Sequence, residues 1–220
     1  SACHLLQAAL RAVLGTHVEQ AGSYVDESRC RFDFSHFAAM TEEEIRKVET
    51  LVNLHILEAN AIESVETDID TARAAGAMAL FGEKYGKIVR MVKMGDFSTE
   101  LCGGTHCDNT GKIGLFKIIS ESSVAAGVRR IEATTGFGVL ELMAQKDAMI
   151  LGVAKELKVQ NPADSAKRVA QLHSELATAK KEIESLNAKI AGSKLDTLLG
   201  SAKAVGSVKL IAAHLDGMQI

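Results

Sequence analysis

A chain of 220 residues with 47% hydrophobic content and a formal net charge of -3 is long enough for one filled core plus an appendage, or for two small domains. No apolar run approaches the roughly 20 residues of a membrane span, and no basic-then-apolar leader of signal-peptide type opens the chain. Residues 161–220 carry 8 Lys/Arg against 6 Asp/Glu and residues 1–160 carry 17 against 22, which excludes a broad basic nucleic-acid footprint on the first part and leaves room only for local contacts.

Residues 1–14 place Leu5, Leu6, Ala9, Leu10, Val13 and Leu14 at helical spacing, with Gly15 as the stop. His4 falls on the first turn, close to the apolar face, where an ordinary half-buried histidine is the plain reading. Ser1 is not a start methionine and begins inside this helical pattern, which suggests a fragment. From His17 to Phe37 the pattern turns strand-like: Cys30, Phe32 and Phe34 alternate with Arg31 and Asp33, and Asp26-Glu27-Ser28 reads as a hairpin turn. Gln20 stands at the entrance, where its amide orients a substrate or simply closes a loop. His36 reads as a turn or packing residue.

Thr41 followed by Glu44 is a capping-box pattern, and it predicts a helix to about Asn60 with Ile45, Val48, Leu51, Val52 and Ile56 inward. His55 belongs on its flank. A strand over Ile62–Ile69, a short helix to about Ala79 and a strand over Lys87–Met94 follow. Gly114–Ser122 and Val128–Thr135 read as an antiparallel pair joined across Val124-Ala125-Ala126-Gly127. Residues 1–136 are thus expected to form an α+β domain, a mostly antiparallel sheet with covering helices.

After Gly138 the apolar residues repeat as heptads, first Val139, Met143, Ile150, Val153 and Leu157, then, beyond Asn161-Pro162, Val169, Leu172, Leu176, Ile183, Leu186 and Ile190. This predicts a long antiparallel helical hairpin over residues 137–204, with a second helix of roughly 40 residues, about 60 Å long. Its role is a packed bundle, a stalk or a dimerisation arm that would make a homodimer. Residues 205–220, with a strand-like run at Val208–Ala212, read as the truncated start of another domain.

The densest site chemistry lies in Ser98–Asn109, with a tight loop expected at Gly103-Gly104. Cys102 and His106 are a thiolate and an imidazole four residues apart, a pair suited to zinc. Gly103 and Gly104 between them let backbone approach a ligand. A third ligand is needed; His4 is the best candidate, with Cys3 and Cys107 as competitors. Three protein ligands and one open position is the count of a catalytic zinc site. Four cysteines without regular spacing make no disulfide framework and fit a reducing, cytoplasmic setting.

Ala2-Cys3-His4-Leu5-Leu6, Leu14-Gly15-Thr16-His17-Val18-Glu19-Gln20, Thr99-Glu100-Leu101-Cys102-Gly103-Gly104-Thr105-His106 and Gly127-Val128-Arg129-Arg130-Ile131-Glu132-Ala133 together resemble the editing domain of alanyl-tRNA synthetases. The resemblance covers essentially the whole chain, since the hairpin and the start of a C-terminal domain follow in the same order. It is shared with free-standing editing proteins and, more loosely, with the editing domain of threonyl-tRNA synthetase. It implies hydrolysis of tRNA(Ala) mischarged with serine or glycine, at a zinc ion held by a His-x-x-x-His pair and a Cys-x-x-x-His pair. His4 matches the second histidine, Cys102 the cysteine and His106 the last histidine; the first histidine would stand immediately ahead of Ser1. The same resemblance makes Gln20 part of the substrate pocket and Arg129 and Arg130 contacts for the tRNA end. Thr105 either touches the aminoacyl group or caps its own loop. Nothing resembles the aminoacylation core, so this piece is expected not to charge tRNA. The competing expectations are a dimerisation and tRNA-positioning fragment with an incomplete, inactive site, and a structural-zinc or metal-free α+β fold.

Overall fold

The computed structural model describes residues 1–78 and 86–211. Two compact units divide it, residues 1–146 and 147–220. The first is α+β. It begins with α1 (Ala2–Leu14), in which Cys3 to Leu10 are all buried. So long a buried run makes this helix part of the core rather than a cover with one wet face, and it carries His4 to 7% exposure instead of half-burial. The helix ends at Gly15, whose N–H donates to the Arg11 carbonyl.

Two hairpins build a four-stranded antiparallel sheet. β1 (Gln20–Val25) pairs with β2 (Cys30–Ser35) across a turn in which Asp26 Oδ1 accepts from the N–H groups of Ser28 and Arg29 at 2.8 and 2.9 Å. β6 (Phe116–Ala125) pairs with β7 (Val128–Thr135) across Ala126-Gly127, with Gly127 at φ +72° where a side chain would strain the turn. β2 then lies against β7, giving the order β1-β2-β7-β6. The register Phe32↔Ile131 and Cys30↔Ala133 puts four fully buried or nearly buried residues on one face. Each such large apolar side chain stabilises the fold by about 1.5–3 kcal/mol through burial.

Over that core lies α2 (Glu42–Leu57), opened by the expected capping box: the Glu44 N–H donates to Thr41 Oγ1 at 3.2 Å and the Thr41 N–H to Glu44 Oε2 at 2.7 Å. Val48, Val52 and Ile56 face inward. A second, three-stranded antiparallel sheet follows: β3 (Ile62–Asp68), β4 (Ile88–Met94) and β5 (Ser98–Leu101), in that spatial order. The first unit therefore divides its strands between two sheets, where one was expected, and Ser98–Leu101 is a strand leading into the Cys102–His106 loop. The short helix α3 (Ile69–Ala74) stops before the expected end near Ala79, which lies outside the described residues. α2 likewise ends at Leu57, before Asn60.

From the first unit into the second runs α4 (Phe137–Glu156), and after a short 3-10 turn at Pro162–Asp164 comes α5 (Ser165–Gly200). α5 has 36 residues, about 54 Å of helix. The two helices occur in the predicted order, but the seam of α5 is not closed: none of its residues is buried, and Leu176, Ile183, Leu186 and Ile190 are about half exposed. On α4 the buried positions are Val139 and Ala154, while Met143, Ile150 and Val153 face solvent. β8 (Lys203–Val205) and β9 (Val208–Leu210) form a small hairpin at the place of the strand expected over Val208–Ala212; residues 212–220 lie outside the described residues. Among the described residues no helix is long and apolar enough to cross a membrane.

Candidate metal centre

β4 and β5 set the site. Their register pairs Val92 with Glu100 and Met91 with Leu101, so Cys102 is the first residue beyond the ladder, tied back by its N–H to the Arg90 carbonyl at 3.0 Å. Period-2 alternation then puts Ser98, Glu100 and Cys102 on one face. His4 comes to the same place on α1, 98 positions earlier in sequence. Ligand-type atoms of His4, Cys102 and His106 all lie within 4.8 Å of one another. His106 Nε2 is 3.4 Å from Cys102 Sγ, and the His4 and His106 rings are 4.7 Å apart between centroids. Of the three expected ligands all converge, and neither competing cysteine joins them. Cys3 is turned to Cys30, whose thiol is pushed up by its hydrogen bond with Cys3 and then by burial, and the Cys107 thiol donates to Ser1 Oγ at 3.2 Å.

The donor set is one thiol sulfur and two imidazoles, which suits zinc better than a hard cation. Protonation favours ligation as well. Burial, reinforced by the neighbouring His106, pulls His4 down to about 3, and burial, with the amino terminus and Arg90 adding, pulls His106 down to about 4. Both rings are therefore neutral near pH 7, as a metal requires. His4 Nδ1 is buried without a hydrogen-bond partner. Ser1 Oγ lies 3.2 Å from His106 Nδ1 and so addresses the ring edge opposite the sulfur.

Glu100, which sequence reasoning passed over, is 4% exposed and sits with Oε2 at 3.5 Å from His4 Nε2. Its Oε1 accepts from the Ser98 hydroxyl at 3.2 Å. Burial pushes its carboxyl up to about 8, because no arginine or lysine pairs with it among the described residues. A carboxylate held in that position is stabilised by any cation brought to the cluster. The residues present thus fit a zinc ion. The signal in sequence was a glutamate alternating with Cys102 at strand period, visible only once the segment is known to be a strand.

The remaining expected residues fall elsewhere or in other contacts. Gln20, at a bulge opening β1, bonds the Ser23 hydroxyl at 3.2 Å. Thr105 is exposed in the loop. Gly103 and Gly104 are exposed; a side chain at Gly103 would meet nothing within 4 Å, and one at Gly104 would reach Cys102 Sγ at 3.4 Å. The Gly104 N–H points to Cys102 Sγ at 3.4 Å. Arg129 forks onto Glu121 at 2.5 and 2.6 Å, and Arg130 onto Asp33 at 2.7 and 2.8 Å. Both guanidinium groups are thus engaged by carboxylates of the same domain. Of the bland readings, His55 stacks on Phe97 at 3.6 Å, and His36 pairs with His17 at 2.9 Å.

The family described as "Threonyl and Alanyl tRNA synthetase second additional domain" matches residues 89–132, the stretch from β4 through the Cys102–His106 loop to β7. The alanine–tRNA ligase of Acetivibrio thermocellus is 53% identical over 213 residues, 97% of this chain and 24% of that protein. The chain corresponds to a segment of the alanine–tRNA ligases. Those of Hydrogenovibrio crunogenus and Desulfitobacterium hafniense are 49% and 50% identical over 220 residues, all of this chain and 25% of each. The chain therefore spans about a quarter of the length of these alanine–tRNA ligases.

The Asp33–Arg130 pair makes stability depend on pH. The Arg130 fork, with Arg31 adding, holds the Asp33 carboxyl below its ordinary 3.8. The unfolded chain then binds the proton at higher pH than the folded one, so the pair contributes in full above that value and its contribution is lost as pH falls through the lower folded value. Urea unfolding of the parent and Asp33→Asn should differ by a constant amount from about pH 5.5 to 7, and the difference should shrink below about pH 4.

Proposed function

We propose that the chain carries an aminoacyl-tRNA deacylase site, hydrolysing the ester of tRNA(Ala) mischarged with serine or glycine at a zinc ion held by His4, Cys102 and His106. The observation that carries this reading is the convergence of those three ligand atoms within 4.8 Å in a chain that matches a segment of alanine–tRNA ligases. Residues 1–136 are assigned to the editing domain, 137–204 to a helical arm and 205–220 to the start of a C-terminal domain, in a cytoplasmic protein.

When bound, zinc supplies a Lewis acid that lowers the pKa of a water molecule and polarises an ester carbonyl. The chain's own residues do the rest. His4 and His106, held neutral by burial, present lone pairs without first losing protons. Gly103 and Gly104, with no side chains, let the 3′ adenosine ester come up to the loop backbone. The exposed Thr105 hydroxyl meets the aminoacyl group, and the Gln20 amide turns from Ser23 to orient it. A hydroxyl-bonding site of this kind selects seryl over alanyl esters, since the analogue lacking the group leaves polar atoms unpaired. Glycyl esters are admitted by excluding alanine's methyl group. Arg129 and Arg130 serve the tRNA end from β7, which they tie to β6 and β2.

Incubated with Ser-tRNA(Ala), Gly-tRNA(Ala) and Ala-tRNA(Ala), the chain should deacylate the first two selectively. Cys102→Ala and His106→Ala should each lower the rate by about 100-fold or more, since losing a ligand outweighs the roughly 10- to 100-fold typical of outer partners. Equal background loss of all three esters from the parent protein would refute the reading.

The exposed α5 seam favours a second role as a dimerisation arm, because apolar heptads bury themselves against another helix. Sedimentation should give a concentration-dependent dimer that Leu176→Glu with Ile183→Glu abolishes; a strict monomer at high concentration would exclude it.

A further inference from the structure

Among the arginines of the first unit, Arg29, Arg31, Arg46, Arg129 and Arg130 each meet a carboxylate and Arg11 reaches the Thr16 and Val18 carbonyls, while Arg90 meets no carboxylate among the described residues. Its NH1 instead donates to two backbone carbonyls, Cys102 at 3.2 Å and Gly104 at still closer range. The backbone of Arg90 takes part as well, accepting the Cys102 N–H at 3.0 Å. One residue in the middle of β4 therefore grips the loop at three points, on both sides of Gly103.

We propose that Arg90 is the positioning residue of the metal loop: a single guanidinium nitrogen bridging the Cys102 and Gly104 carbonyls closes the turn, so that Cys102 Sγ and His106 Nε2 face His4. The physical need is plain. Two successive glycines leave the loop with more backbone freedom than any other residue pair would, and Gly103 touches nothing that could restrain a side chain there. Both carbonyls would otherwise be left to solvent, with no regular ladder to hold them. A guanidinium anchored on a strand replaces that ladder, since charge-assisted hydrogen bonds are stronger than neutral ones. Once closed, the turn is locked from within by the Gly104 N–H to Cys102 Sγ contact at 3.4 Å. Lysine at this position offers a charge without a planar donor set and serves only in part. Arg90 touches neither metal nor substrate; it acts through Cys102 and Gly104. The clamp stands on geometry alone, while its effect on metal binding rests on the zinc reading above.

The test uses the whole chain and its Arg90→Ala, Arg90→Gln and Arg90→Lys variants. Amide hydrogen exchange over residues 101–107 is measured on the metal-free proteins, zinc affinity is measured by chelator competition, and thermal midpoints check folding. Arg90→Ala and Arg90→Gln should speed exchange in residues 101–107 by about 10-fold or more with α1 and α2 unchanged, and should weaken zinc binding by about 10- to 100-fold, the usual effect of an outer partner. Arg90→Lys should recover part of both. Unchanged exchange in folded Arg90→Ala and Arg90→Gln would overturn the clamp, and faster exchange with unaltered zinc affinity would overturn its positioning role. If the parent takes up no zinc but the exchange effect appears, the clamp is upheld and the zinc reading fails instead.

Discussion

The docking of α1 into the core of the first unit is the constraint on which the site depends. His4 is separated from Cys102 by 98 positions in a unit of 146 residues, and bringing distant residues together costs loop-closure entropy that grows slowly with length. The cost is met not by the site but by Leu5, Leu6, Ala9 and Leu10, each with no exposed surface, packed with Val48, Val52, Phe32 and Phe34 in one cluster. At about 1.5–3 kcal/mol for each large apolar side chain, this packing exceeds anything that three empty ligand side chains could contribute. The helix would sit where it does without an ion. Ligand geometry is therefore a by-product of hydrophobic packing, which makes the site preorganised rather than assembled on binding.

Electrostatics give that preorganisation a sign. Buried His4 and Glu100 sit beside half-buried Cys102 and His106, with the Arg90 guanidinium close by and its NH1 committed to carbonyls. Burial pushes Glu100 up and both histidines down, all three toward their neutral forms. A cluster of neutral donors backed by a buried acid is what a divalent cation stabilises most, because the ion supplies the charge that the protein withholds. Elsewhere on the domain the pattern is reversed: Asp33–Arg130 and Glu121–Arg129 are closed bidentate pairs that brace the sheet.

Much of this was legible in the sequence because it is local. The Thr41–Glu44 box, the Cys30–Phe34 alternation, the Asp26 turn and the Gly15 stop each rest on contacts within a few residues, and each occurs where expected. The ligand trio was legible from residue chemistry combined with family likeness. What escaped depends on pairing across the chain. That β2 lies beside β7, about a hundred residues on, while β3 lies beside β4 and β5 in another sheet, is decided by tertiary packing that no local period records. Ser98–Leu101 was hidden because a four-residue strand is too short to declare a period, and with it went the burial of Glu100. Arg90 lies inside an apolar strand, where no local pattern marks it as a contact for the loop. The heptads of α4 and α5 were read correctly as helix, but periodicity identifies a seam and not what covers it.

X-ray absorption at the zinc edge of the metal-loaded chain probes the central claim most directly, since it counts the atoms around the ion without reference to activity. The account predicts one sulfur neighbour at about 2.3 Å and at least two imidazole nitrogens at about 2.0–2.1 Å, with the sulfur signal lost in Cys102→Ala. A shell of oxygen alone, or a sulfur signal that survives that substitution, would contradict it.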